Sequence, residues 1–404
     1  MKKINGGVCA PLGFKANGVH CGIRKNKTKR DLSLIVSDVR ASAACVYTTN
    51  RVKGAPITVT KQHVADGYAQ AVICNSGNAN TCNANGLEIA RDMCALVEKH
   101  SGIAADDVVV ASTGVIGQPL DIGPIGAGLP ELVQGLGSEN SNLAAQGIMT
   151  TDTVAKEIAY SFEIAGVECH IGAIGKGVGM INPNMATMLI FVTCDVAITP
   201  SMLQKALSSD VKDTFNMVSV DGDTSTNDMV CVLSNGLAGN PEIVQSGKDF
   251  NAFRRALNKV TTYLCRCIAK DGEGATKLLE CKVTGAKNKN AAKLVAKSVI
   301  NSSLFKAAMF GADANWGRVL CAVGYSGAEV DVNKVDVAFK SRKGLIKVCK
   351  NGSGIEFSEE YAKRILSEDE IQVLIELNDK NGKATAWGCD LTYEYVKING
   401  DYRT

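Results

Sequence analysis

Histidine is nearly absent, with only His20, His63, His100 and His170 in 404 residues, and none has a metal-ligating partner at helical spacing. A structural zinc site needs closely spaced ligand pairs, so no metal is expected. A histidine-based catalytic triad has little to draw on. The 15 cysteines include no Cys-x-x-Cys pair, and Cys265-x-Cys267 is the nearest approach. Their number is odd and their settings apolar, as in Ala43-Ala44-Cys45-Val46 and Val72-Ile73-Cys74. They read as small core residues of a protein kept in a reducing cytoplasm. Charge of one sign is also missing: 44 basic residues against 41 acidic leave +3. That balance carries no signature of nucleic-acid or membrane-surface binding. No apolar run approaches the length of a membrane-spanning helix. The opening Met1-Lys2-Lys3-Ile4-Asn5-Gly6-Gly7 has no apolar stretch behind it. No secretory signal is expected. Proline is scarce at 8 residues, and there is no repeat of solenoid period.

What remains is an ordinary globular composition, 46% hydrophobic and 21% charged, with 40 glycines for tight loops. The length suits two or three domains. Short apolar runs at 32–39, 69–74, 108–111 and 187–194 read as strands. Met188-Leu189-Ile190-Phe191-Val192 has the composition of a strand buried on both faces. Leu87, Ala90, Cys94 and Val97 mark one helix; Phe253, Leu257, Val260, Leu264 and Ile268 mark a longer one that stops at Asp271-Gly272 and leaves Glu273 in a loop. Thr199-Pro200 opens a further helix. Residues 291–310 are expected to be helical, as are 358–366 behind a capping Ser358. Asn381-Gly382 signals a hairpin between strands at 371–377 and 384–395. The end, 398–404, reads as a polar loop. Interleaved helices and strands place the chain in the α/β or α+β class.

Several familiar motifs fail on spacing. Gly175-Lys176-Gly177 has His170 where a phosphate loop would open with glycine. Asp221-Gly222-Asp223-Thr224-Ser225-Thr226-Asn227-Asp228 lacks the sixth-position glycine and twelfth-position glutamate of a calcium loop. It reads as a loop held by its own side-chain hydrogen bonds. The run Lys176-Gly177-Val178-Gly179-Met180-Ile181-Asn182-Pro183-Asn184-Met185-Ala186-Thr187 stands apart, because it takes a glycine-rich loop straight into the buried strand. On composition alone Thr187 simply begins a strand, as β-branched residues do. The alternative is a nucleophile. A threonine hydroxyl needs a base, and a free α-amine on the same residue, with a pKa of about 7.7–8.0, can be one. That requires cleavage of the Ala186–Thr187 bond.

At this point the chain resembles a family. Lys176 to Leu189 is similar to the self-processing motif of the ornithine acetyltransferase (glutamate N-acetyltransferase) family. Further likenesses follow in order: Ser112-Thr113-Gly114-Val115-Ile116-Gly117, Met149-Thr150-Thr151-Asp152-Thr153, residues 220–228, Asn315-Trp316-Gly317-Arg318, and the close from Tyr395 to Thr404. Ala314 departs from the pattern, which has proline before Asn315.

The resemblance implies a layered α/β/β/α protein like the N-terminal-nucleophile enzymes. It implies a catalytic unit of 1–281 joined by the tail 381–404, a smaller unit at 282–380, and fragments 1–186 and 187–404 that cut across the domains. It assigns Thr187 as nucleophile, new N-terminus and acetyl acceptor, and Thr113 and Gly114 as the oxyanion-hole pair. It assigns Thr153, Lys176, Thr187, Glu273, Asn399 and Thr404 to substrate, with Thr150 and Thr151 as neighbours that could take the place of Thr153. The implied reaction moves acetyl from N2-acetylornithine to glutamate by a ping-pong route in arginine biosynthesis, and some family members accept acetyl-CoA. No cofactor is implied, and two heterodimers are expected to pair. A self-processing aminopeptidase or amidase shares the cleavage logic and differs in passing the acyl group to water.

Overall fold

The computed structural model describes residues 1–181 and 188–400. The mixed α/β class holds, with a nine-stranded and a seven-stranded sheet among the described residues and helices packed on both. The first sheet runs Lys2–Ile4, Lys156–Ile164, Val167–Lys176, Leu189–Cys194, Met229–Ser234, Leu32–Tyr47, Tyr68–Asn78 and Val108–Val115. Phe14–Val19 pairs off this path with Leu32–Tyr47.

Leu189–Cys194 and Met229–Ser234 are buried at every position and lie parallel, with Met229 opposite Leu189. Burial on both faces accounts for the unbroken apolar run. On its other edge Leu189–Cys194 runs antiparallel to Val167–Lys176, with Leu189 opposite Lys176. These two strands from beyond residue 187 are hydrogen-bonded between Val167–Lys176 and Leu32–Tyr47. A cut before Thr187 would therefore leave the two pieces interleaved in one sheet.

The helix Gly86–Ser101 forms where the spacing predicts, but Leu87 faces solvent while Ile89 and Met93 join Ala90, Cys94 and Val97 inside. The long helix Lys248–Lys270 buries Phe253, Leu257, Val260, Leu264 and Ile268 as expected. It packs against Lys156–Ile164 of the first sheet and Gly382–Cys389 of the second. The second sheet runs Ser353–Gly354, Gly344–Lys350, Asp336–Ser341, Glu370–Glu376, Leu278–Ala286, Gly382–Cys389 and Val218–Ser219.

Four expectations yield here. Glu370–Glu376 and Gly382–Cys389 do not form a hairpin; Leu278–Ala286 lies between them, parallel to the first and antiparallel to the second. Gly382 answers a close approach instead, since a Cβ there would stand 2.3 Å from the Asn288 carbonyl oxygen. The helix expected over 291–310 divides into Lys289–Asn301 and Ser303–Phe310, because Ser302 caps the second by accepting the Phe305 N–H at 3.3 Å. The strand expected to reach Tyr395 ends at Cys389, where Asp390 takes the Thr276 and Lys277 N–H groups at 2.9 Å each. Tyr393–Gly400 is then a helix, so the loop expected over 398–404 gives way to helix as far as Gly400, and residues 401–404 lie outside the described residues.

Candidate active site

Thr113, Gly114, Lys176, Glu273 and Asn399, far apart in sequence, line one cavity of ≈ 270 Å³. Thr113 and Gly114 end the strand Val108–Val115, which lies parallel to Tyr68–Asn78 with Gly114 opposite Gly77. Gly114 has φ +134°, and a Cβ on it would come within 2.3 Å of the Gly77 carbonyl carbon. Only glycine fits so close to that backbone. Thr113 is buried beside it, and its Oγ1 accepts from the Lys176 Nζ at 3.4 Å. Its own hydroxyl proton is left to donate.

Lys176 closes the strand Val167–Lys176 and is 2% exposed. Among the described residues it makes no ion pair, and the Thr113 hydroxyl is its one hydrogen-bond partner. Burial pushes its ammonium below the ordinary lysine value; Asp152 opposes this, while Lys156 and Arg24 add to it. A buried cation at a cavity wall with so little compensation is suited to an anionic ligand.

Asp152 organises the ground beneath. Its carboxylate takes the Lys156 Nζ at 2.8 Å, the Gly177 N–H at 2.9 Å and the Thr150 N–H at 3.0 Å. Burial works against its ionisation, but Lys176 and Lys156 prevail and hold it at about 2. Lys156 also pairs with Asp271 at the end of the long helix. Asp152 belongs to the quoted run 149–153, yet two of its partners, Lys176 and Gly177, lie 24 and 25 residues on, so nothing local signals its role.

Glu273 supplies the opposite charge. Its Oε1 accepts from the Thr151 hydroxyl at 2.7 Å and its Oε2 from the Asn399 Nδ2 at 2.8 Å. The C-terminal helix thus reaches the site through Asn399. Gly179 makes room, since a Cβ there would lie 2.5 Å from Glu273 Oε2. Thr150 and Thr151 line the cavity. Thr153 is not among the lining residues, and its hydroxyl bonds Asp271. Ala186, Thr187 and Thr404 lie outside the described residues. Met188, bonded to Thr187, enters the sheet at the end that carries Lys176.

The 221–228 loop ties segments together more than it ties itself. Asp221 accepts the Ile181 N–H at 2.7 Å. Asn227 donates to the Ala79 and Ser112 carbonyls at 2.6 and 2.9 Å and accepts from the Thr81 and Thr226 hydroxyls at 2.6 and 2.5 Å. It braces the wall that holds Thr113. No His, Cys, Asp or Glu cluster among the described residues could hold a metal ion. No described helix is long and apolar enough to cross a membrane.

An ammonium, a carboxylate and a hydroxyl beside a constrained glycine suit a small zwitterion. The chain matches the model of the ArgJ family over residues 15–404. It belongs to that family. It is accordingly an acetyltransferase of arginine biosynthesis. It is 48% identical over 405 residues to the arginine biosynthesis bifunctional protein ArgJ of Caldanaerobacter subterraneus subsp. tengcongensis, covering 100% of both chains. It is 50% identical over 394 residues to ArgJ 1 of Clostridium acetobutylicum, covering 97% of this chain and 96% of the other. The crystal structure of the ArgJ protein from Bacillus halodurans is 48% identical, with a TM-score of 0.50, over 52% of this chain and 98% of that one. The crystallised ArgJ polypeptide is thus about half the length of this family member.

Proposed function

We propose that this protein cleaves itself between Ala186 and Thr187 and then moves the acetyl group of N2-acetylornithine to glutamate through an acetyl-Thr187 intermediate. The observation that carries the reading is the shared cavity of Thr113, Gly114, Lys176 and Glu273. N2-acetylornithine has a carboxylate and a free ammonium, for which Lys176 and Glu273 are the natural partners. The half-length solved relative is consistent with a cut near the middle of the chain. Thr151 and Asn399 steady Glu273, and Thr404 is kept as a substrate residue on the family resemblance alone.

The Thr187 hydroxyl attacks the acetyl carbonyl while the α-amine takes its proton. The tetrahedral oxyanion is held by the Thr113 hydroxyl and the Gly114 N–H. Collapse breaks the amide bond, and the proton goes to the departing nitrogen of ornithine. The amine of glutamate then attacks the ester, and the proton returns to the Thr187 oxygen. The same hole serves acetyl-CoA where that is the donor. The fragments stay joined through the first sheet, and two such heterodimers pair in the cytoplasm.

Incubation with N2-acetylornithine and no acceptor should add one acetyl mass to the fragment beginning at Thr187. Glutamate should remove it, giving N-acetylglutamate. Release to water in place of transfer would turn the reading to an amidase. No acetyl adduct, with intersecting initial-rate lines, would overturn the covalent route.

Thr113 and Lys176 should separate kinetically in protein already cleaved. Thr113→Ala should lower kcat by about 100–1,000-fold with little change in KM, because the oxyanion exists only in the transition state. Lys176→Ala should chiefly raise KM, because the carboxylate is bound in ground and transition states alike.

The alkaline limb of kcat/KM provides a further check. A depressed Lys176 value means its charge is lost at lower pH than an ordinary lysine would lose it. KM should therefore begin to rise below the usual lysine range of about 10.4. That limb should vanish in Lys176→Ala, and its persistence there would assign it elsewhere.

A further inference from the structure

The 221–228 loop fails as a calcium site and takes no part in the proposed chemistry, yet one of its side chains reaches the wall that carries Thr113 and Gly114. Asn227 lines the same cavity and is 6% exposed. Its Nδ2 donates to two backbone carbonyls, Ala79 at 2.6 Å and Ser112 at 2.9 Å. Its Oδ1 accepts from two hydroxyls, Thr81 at 2.6 Å and Thr226 at 2.5 Å. A carbonyl can only accept, so the end that meets Ala79 and Ser112 must be the NH2. Gly54 leaves just enough room behind it, since a Cβ there would stand 2.5 Å from Asn227 Nδ2.

The two carbonyls bracket the Thr113–Gly114 pair. The Ser112 carbonyl belongs to the peptide that carries the Thr113 nitrogen, immediately before the pair. Ala79 donates its N–H to the Val115 carbonyl at 2.9 Å, immediately after it. One carboxamide therefore sets the peptide that enters the pair and, through Ala79, the strand that leaves it. We propose that Asn227 is a positioning residue for the oxyanion hole, holding the Thr113 hydroxyl and the Gly114 N–H where the tetrahedral oxyanion develops. This rests on the oxyanion-hole assignment of the proposed function. Such donors work at about 2.7–3.1 Å from the developing charge and only when fixed in advance. A displacement of about 1 Å can cost roughly 100-fold in rate. Asn227 lies beyond the proposed cleavage point, and Ala79 and Ser112 lie before it. The second fragment thus shapes the hole that the first one carries.

Asn227→Asp is nearly isosteric and keeps an acceptor for Thr81 and Thr226, but a carboxylate has no proton for either carbonyl. In cleaved enzyme it should lower kcat at least about tenfold with KM within about threefold, because the hole acts only in the transition state. A double-mutant cycle separates positioning from stability. Thr113→Ala already removes one donor of the hole, so the factor lost to Asn227→Asp should be at least about threefold smaller in that background. A merely structural role, acting through the amount of folded enzyme, would give the same factor in both. Thr81→Val is a gentler probe, since it removes one of the two hydroxyls that orient the carboxamide and leaves Thr226. It should lower kcat by about twofold to fivefold with the same dependence on Thr113, and it carries the test if Asn227→Asp does not fold. Wild-type kcat in cleaved Asn227→Asp, or equal factors with and without the Thr113 hydroxyl, overturn the inference. A cleaved Thr113→Ala with wild-type kcat overturns the oxyanion-hole assignment and this inference together; a Thr113→Ala that falls as expected beside an unaffected Asn227→Asp overturns the inference alone.

Discussion

Thr187→Ala should remain one 404-residue chain and lose activity by roughly 10⁴–10⁶-fold, the range seen when a covalent nucleophile is removed. Two functions vanish with one hydroxyl: the attack that cleaves the Ala186–Thr187 bond and the attack on the acetyl donor. Wild-type protein should give two bands under denaturing conditions, the second with Thr187 at its N-terminus. The bands should co-purify under native conditions, because Leu189–Cys194 and Met229–Ser234 are hydrogen-bonded between strands of the first fragment. Thr187→Ser keeps a hydroxyl and should still process. An active Thr187→Ala would end the acetyl-threonine mechanism.

Asp152→Ala should be the most destabilising change at the site, by about 3–5 kcal/mol, the usual cost of removing one partner from a buried ion pair. Lys156 would keep Asp271 but lose Asp152, and Lys176 would lose the acid that opposes its desolvation. Chemical denaturation in the uncleaved Thr187→Ala background measures this on a single chain. The pH dependence has a definite sign. The folded carboxyl sits at about 2, below an unfolded value of about 3.9. Its stabilisation is complete above the unfolded value and is lost as pH falls through the folded one. The gap between the two proteins should be constant near neutrality and shrink from about pH 4 downward. A gap unchanged into acid would mean that the loss comes from packing.

Some of this was legible without coordinates. Helical periodicity placed Lys248–Lys270 and its buried face, because spacing of 3.6 residues depends on the chain alone. An unbroken apolar run marked Leu189–Cys194 as a central strand. The family resemblance pointed to Thr113, Gly114, Lys176, Glu273 and Asn399, which the fold gathers into one cavity.

Other features were decided only by contacts remote in sequence. Asn381-Gly382 carries a turn signal, but a turn cannot choose its neighbour, and Leu278–Ala286 takes the place between the two strands. The spacing of Leu87, Ala90, Cys94 and Val97 marked a helix and placed three of the four inside, but Leu87 faces solvent, since burial depends on the neighbours the helix meets. Asp152 and Asp228 look like ordinary loop acids in the sequence. Their character comes from burial and from partners brought in by other strands, Lys176 and Gly177 for one and the Met188 N–H for the other. The sequence by itself determined the α/β class, the long amphipathic helix and the residue types able to bind a zwitterion. The tertiary structure alone decided strand order, which threonines of 150–153 face the cavity, and which acids lie out of water, because electrostatic environment belongs to the packed state.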